Sequence, residues 1–192
     1  MTVIRAFIAI DLPESIQARL EDVLDKVKTP GDKAVRWVPA ANIHLTIKFL
    51  GDVSPANLEL HTRLLKAEVS RFRPFEICVG TLGAFPSIRR PRVIWVGVEA
   101  PPTLAAMQRA IETETVRLGY AAEDRPFSPH LTLGRVAHNA SPDEVRKVAD
   151  TLVSVKVGEL GRATVDSVRL FRSDLQPGGA VYTPLFTTYL AR

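Results

Sequence analysis

The string His-apolar-Thr-apolar occurs twice in this chain of 192 residues, as His44-Leu45-Thr46-Ile47 and His130-Leu131-Thr132-Leu133. In an extended strand successive side chains alternate between faces. Each string therefore sets its imidazole and its hydroxyl on one face and its two apolar residues on the other. One face packs while the other is free for chemistry. Two such strands side by side present two groups that titrate near neutrality and two hydroxyl donors around one point. That set suits acid/base attack on a phosphate diester. In-line attack of water on the phosphorus of such a diester needs a base on one side and an acid on the other. Imidazoles with pKa values of about 6.5 can divide that work, in either order. Threonine hydroxyls two residues along the same face can donate to the non-bridging oxygens as charge builds there, supported by Lys48 or Arg135.

Other chemistries are poorly supplied. No His-x-x-x-His, Cys-x-x-Cys or carboxylate cluster surrounds either histidine, so no metal is expected. There is no Gly-x-Ser-x-Gly elbow, and no Walker or dinucleotide glycine loop, so no cofactor is expected either. The single cysteine, Cys78, lies between Ile77 and Val79 in an apolar run and reads as a buried, inert thiol. His61 and His138 are not followed by the apolar-Thr pair and read as surface residues.

The chain that must position these groups has the composition of a soluble globular protein, 46% hydrophobic and 24% charged. Its apolar start, Val3 to Ile10, is cut off by Asp11, Pro13 and Glu14, too soon for a secretory segment, and no run is long enough to span a bilayer. A cytoplasmic protein without a membrane partner is expected. The net charge of +4 fits an anionic partner, and Arg36, Arg125 and Arg135 stand close to the motifs.

Val3 to Ile10 alternates as a strand with Arg5 and Phe7 on one side. A helix follows Pro13 through Ile16, Leu20, Val23, Leu24 and Val27 and ends before Pro30-Gly31. Strands are expected at Val35 to Val38 and Ile43 to Leu50, the latter with His44, Thr46 and Lys48 on one face and Phe49 on the other. Gly51-Asp52 ends it, and Ser54-Pro55 opens a helix through Leu58, Leu65 and Val69. Phe75 to Leu82 and Val93 to Val98 read as strands around a basic loop, then a helix runs from Pro102 to Leu118. The second motif strand comes next, and Ser141-Pro142-Asp143-Glu144 has capping-box spacing for a fourth helix. Strands at Val165 to Arg172 and Tyr182 to Leu190 flank a turn at Pro177-Gly178-Gly179. Ser54 follows His44 by ten residues and Ser141 follows His130 by eleven, a faint internal repeat. The pattern predicts an α+β protein of two similar lobes, each an antiparallel sheet backed by helices.

The segments Arg5-Ala-Phe7-Ile-Ala-Ile-Asp11-Leu-Pro13, Trp37-Val-Pro39 through His44-Leu-Thr46-Ile-Lys-Phe-Leu-Gly51, and Pro129-His130-Leu-Thr132-Leu-Gly-Arg135 resemble the two-histidine (2H) phosphoesterase superfamily. Within it they are most similar to the RNA 2′,3′-cyclic phosphodiesterases, also called 2′-5′ RNA ligases, along nearly the whole chain. The resemblance implies a single bilobal domain over residues 1–192, with two antiparallel sheets, outer helices, and both motifs in a central cleft. It implies metal-independent opening of RNA 2′,3′-cyclic phosphate ends to 2′-phosphates. By the same resemblance His44 is the proton donor to the leaving 3′ oxygen, His130 is the base that activates water, and Thr46 and Thr132 bind phosphate.

Arg5, Phe7, Lys48 and Arg135 are further substrate-binding candidates. The Phe7 ring can stack on a terminal base, and Trp37, Phe127 and Tyr182 are alternatives for that task. The expected partner is RNA with cyclic-phosphate ends, tRNA fragments among them, bound by a monomer. Three other readings use the same site: 2′-5′ joining of tRNA halves, hydrolysis of small cyclic phosphates, and a non-catalytic module that holds RNA ends.

Overall fold

Alternating apolar residues build nine strands among the described residues, and apolar stripes build four helices. The computed structural model describes residues 3–28, 33–176 and 179–191. In chain order the elements are β1 (Ile4–Ile10), α1 (Glu14–Val27), β2 (Val35–Trp37), β3 (Leu45–Val53), α2 (Leu58–Val69), β4 (Phe75–Ser87), β5 (Arg90–Glu99), α3 (Pro102–Arg117), β6 (His130–Val136), α4 (Pro142–Ser154), β7 (Glu159–Val165), β8 (Ser167–Gln176) and β9 (Gly179–Tyr189). The α+β class expected from the pattern is what the chain adopts. The predicted breaks at Pro30-Gly31 and Pro177-Gly178 lie outside the described residues.

All strands join one antiparallel sheet in the order β7-β4-β5-β6-β3-β1-β8-β9, with β2 also paired to β6. Two separate sheets were expected; a single connected sheet is observed, because Leu45 of β3 pairs with Leu131 of β6. Counting outward from that junction gives four strands on each side. The second residue of each motif is the junction, so the sheet is centred on the duplicated sequence.

The helices bury their apolar stripes in one core. From α1 come Ile16, Leu20, Val23, Leu24 and Val27, and from α4 come Val148 and Leu152. At ~1.5–3 kcal/mol for each large side chain, the α1 stripe alone contributes on the order of 10 kcal/mol before chain entropy is charged against it. Helix α4 starts as its spacing predicts. The Glu144 N–H donates to the Ser141 hydroxyl at 3.3 Å, and the Ser141 N–H donates to the Glu144 carboxylate at 2.7 Å.

Three expectations need correction. Ser54-Pro55 opens a short 3-10 turn, and α2 proper begins at Leu58. His61 is fully buried, because it shares the α2 stripe with Leu65 and Val69 and its ring meets Tyr120 edge-on at 4.8 Å. Strand β7 escaped prediction, and β4 runs on to Ser87, which brings Phe85 into the sheet.

Candidate active site

The Leu45–Leu131 pair sets the geometry of the motifs. Both leucines are fully buried on the helix side, so His44, Thr46, His130 and Thr132 rise on the opposite face. Carried one residue either way, the antiparallel register sets His44 beside Thr132 and Thr46 beside His130. The two histidines are then diagonal neighbours, a relation that separates backbones by about 7–8 Å.

Each ring is aimed by the same device. His44 Nδ1 lies 2.9 Å from the carbonyl of Asn42, and His130 Nδ1 lies 2.7 Å from the carbonyl of Ser128. A carbonyl only accepts, so Nδ1 carries the proton in both, and the lone pair sits on Nε2. Asn42 also donates from Nδ2 to the Ala180 carbonyl at 2.9 Å, which ties the approach to His44 to the start of β9. Neither threonine hydroxyl is engaged with another described residue, and both are half-buried.

Each motif is followed by a β-bulge. On β3 the partners of Ile8 and Ala9 are Lys48 and Thr46, which leaves Ile47 unpaired; on β6 the partners of Ile94 and Trp95 are Gly134 and Thr132, which leaves Leu133 unpaired. The extra residue reverses the alternation beyond it. Phe49 therefore joins the histidine face, 6.2 Å from the Phe7 ring, while Lys48 turns to the helix side. There Lys48 is buried, 2.9 Å from Glu112 of α3 and 2.6 Å from the Ala121 carbonyl. The expectation that Lys48 supports the phosphate is thus corrected. On β6 the same reversal puts Arg135 on the histidine face. A second irregularity at Leu50 is absorbed by Gly51, whose left-handed backbone (φ 70°) keeps β3 running where a strand end was expected.

The surroundings of the two rings differ. His44 stacks on Phe7 at 4.6 Å and meets Tyr182 edge-on at 5.2 Å, with Phe171 stacked behind Phe7. This aromatic wall desolvates His44 and lowers its pKa to about 4, against the opposing effect of the Asn42 hydrogen bond. The expectation of two ordinary imidazoles fails at this residue, which burial holds in its neutral form near pH 7. His130 has one aromatic neighbour, Phe85, edge-on at 5.1 Å. A cavity of about 280 Å³ opens beside it, lined by Gly80, Trp95, Gly97, Ser128 and Pro129 among others.

The expectation that Phe7 stacks on a base is corrected, because Phe7 is buried with its ring held between His44 and Phe171, whereas half-buried Tyr182 faces His44, and Arg5 and Arg135 both act on the Tyr182 hydroxyl. Burial raises the Tyr182 pKa, and the two guanidinium charges oppose that rise. Trp37 and Phe127 pack against the core instead. Sequence reasoning missed Phe85, Trp95 and Phe171. Trp95 stands opposite Thr132 and lies over Gly83, where an added Cβ would come within 2.2 Å of the indole. Cys78 is half-buried, and burial pushes its thiol pKa up, away from the reactive thiolate. Among the described residues no group of three His, Cys, Asp or Glu is placed to hold a metal ion, and no helix is long and apolar enough to cross a membrane.

The chain is similar to known proteins in sequence and in fold. Residues 12–177 match the model of the 2′-5′ RNA ligase superfamily. A Methanothermobacter thermautotrophicus protein named RNA 2′,3′-cyclic phosphodiesterase is 36% identical over 182 residues, covering 95% of this chain and 96% of the relative. An Escherichia coli protein of the same name is 31% identical over 94% of this chain and 93% of its own. Among solved structures, a phosphoesterase aligns with a TM-score of 0.78 at 28% identity, and E. coli LigT complexed with 3′-AMP with 0.76 at 27%, each over the full length of both chains. The match of the superfamily model over residues 12–177, with a relative 36% identical over nearly the whole chain, makes this chain a member of the 2′-5′ RNA ligase superfamily.

Proposed function

We propose that this protein hydrolyses RNA 2′,3′-cyclic phosphate termini to 2′-phosphate ends by acid/base catalysis shared between His44 and His130, without a metal. The observation that carries the reading is the convergence of both motifs at Leu45–Leu131, with Nε2 of each ring left free by its Nδ1 hydrogen bond. The relatives named RNA 2′,3′-cyclic phosphodiesterase support the substrate class. The two halves of the sheet act as lobes of one bilobal domain, the cleft between them follows the β3–β6 junction, and the monomer is the working unit in the cytoplasm.

The surroundings of the rings support a division of roles. Water has access beside His130, where the cavity lies. Nε2 of His130 takes a proton from that water as its oxygen attacks phosphorus. The bond from phosphorus to O3′ breaks on the opposite side, and His44 Nε2 delivers its proton to O3′, leaving a 2′-phosphate monoester. The Thr46 and Thr132 hydroxyls donate to the non-bridging oxygens. His44 is an acid only when protonated, which its low pKa forbids near pH 7. The phosphodiester anion supplies the opposite charge that favours the imidazolium, so the acid is armed by substrate. Tyr182 lines the route for the terminal nucleoside.

Incubation with an oligonucleotide ending in a 2′,3′-cyclic phosphate tests the reading. A 2′-phosphate product is expected. Tight binding with no product would leave only the end-binding module. With a 5′ hydroxyl in place of water as the attacking group, and O3′ leaving as before, the same groups form a 2′-5′ diester, as in ligation of tRNA halves, but water at molar excess favours hydrolysis.

A further inference from the structure

Arg36 of β2 is the direct partner of Arg135 of β6. Antiparallel partners share a face, so Arg36 rises beside Arg135 on the histidine side of the sheet, and both are exposed. Like charges placed directly opposite destabilise a sheet. Three other arginines of this sheet have carboxylate partners, Arg169 with Asp11, Arg172 with Asp174, and Arg162 with Glu76, whereas Arg5, Arg90 and Arg92 show none among the described residues. Among the described residues neither Arg36 nor Arg135 has a carboxylate within ion-pair distance. A charged pair that the fold itself leaves uncompensated is what an anionic ligand would complete.

Its position narrows the ligand. The Leu133 bulge makes the three residues from Thr132 to Arg135 only two strand steps, about 7 Å. That is of the order of one nucleotide along an extended chain. The two-fold relation between β3 and β6 puts exposed Phe49 at the place equivalent to Arg135, so the cleft has two cations at one end and an aromatic ring at the other.

Resting on the proposed cyclic phosphodiesterase reading, we infer that Arg36, together with Arg135, holds the phosphate on the 5′ side of the terminal ribose. The site thereby selects the end of a polynucleotide over a free nucleoside cyclic phosphate.

The test compares kcat/KM for a nucleoside 2′,3′-cyclic phosphate with and without a 5′-phosphate, and for a dinucleotide with a cyclic end. The wild-type protein is expected to prefer the substrates with the second phosphate by roughly 10-fold, the effect of one charge-assisted contact. Arg36→Ala should abolish that ratio, and Arg36→Lys should restore part of it. An unchanged ratio overturns the inference, as does equal loss on all substrates, which would make Arg36 a positioning residue for Arg135. Binding of a dinucleotide 2′-phosphate gives a second readout. Its slope of log affinity against log salt should flatten by about 0.7 in Arg36→Ala, the release of one counterion from a single strand. If the wild-type protein turns over no cyclic phosphate, the parent reading fails, and the salt slope alone then decides whether Arg36 holds a phosphate.

Discussion

Two rings, each clipped through Nδ1 to a carbonyl two residues upstream, define what single residues should do. Replacing either His44 or His130 by Ala is expected to lower turnover of a cyclic-phosphate oligonucleotide by ~10²-fold or more, measured alongside circular dichroism to verify the fold. The pH profile should be bell-shaped, with limbs that belong to the coupled pair. Thr46→Val or Thr132→Val should cost ~10²-fold in kcat, because each removes one donor from the developing charge. His44 also marks stability. Its pKa is about 4 when folded, below its ordinary 6.5. Between those values the unfolded chain binds a proton that the folded chain does not. Stability is therefore full above pH ~6.5 and lost as pH falls toward 4, by up to roughly 3 kcal/mol. Buried His61, whose pKa is also lowered by burial, acts in the same direction. Denaturation midpoints at pH 4.5 and pH 7 should converge in His44→Asn, and an NMR titration should show the His44 pKa rising on addition of inorganic phosphate.

At the scale of elements, the bulges after the motifs decide which neighbours join the site. Lys48 was expected on the catalytic face and instead pins β3 to α3 through Glu112, and to the segment before β6 through the Ala121 carbonyl. Glu112 in turn accepts from the Glu123 N–H at 2.9 Å. Lys48→Met strands a buried carboxylate and should cost about 3 kcal/mol in urea denaturation. Turnover by the protein that remains folded should change far less than in either histidine variant. This difference also shows what was legible in the sequence. Strand alternation sufficed to put His44 with Thr46 and His130 with Thr132, since no irregularity falls between the histidine and the threonine of either motif. It failed one residue further on, because an unpaired Ile47 is set by cross-strand register, a property of two segments at once. Phe171, Phe85 and Trp95 were hidden for the same reason: a residue's place in the cleft depends on which strand lies beside it. His61 differs, since its spacing from Leu65 and Val69 carried the burial signal and only its polarity argued against it.

For the whole molecule, a moderate positive charge and a cluster of arginines on the histidine face predict that kcat/KM on oligonucleotides falls as salt rises, with a log–log slope of about −0.7 for each phosphate contacted. Activity should persist in EDTA, because the proposed protons move only between imidazoles and substrate. The α+β class was readable from the order of elements, whereas the union of both halves into one sheet was not. A single residue pair makes that union, and no periodicity announces it. This pair also acts as a local two-fold axis, about which two imidazoles and two hydroxyls are arranged. Because both sides belong to one chain they need not match, and the contrast between Phe49 and Arg135 is one that two identical copies meeting edge to edge could not present.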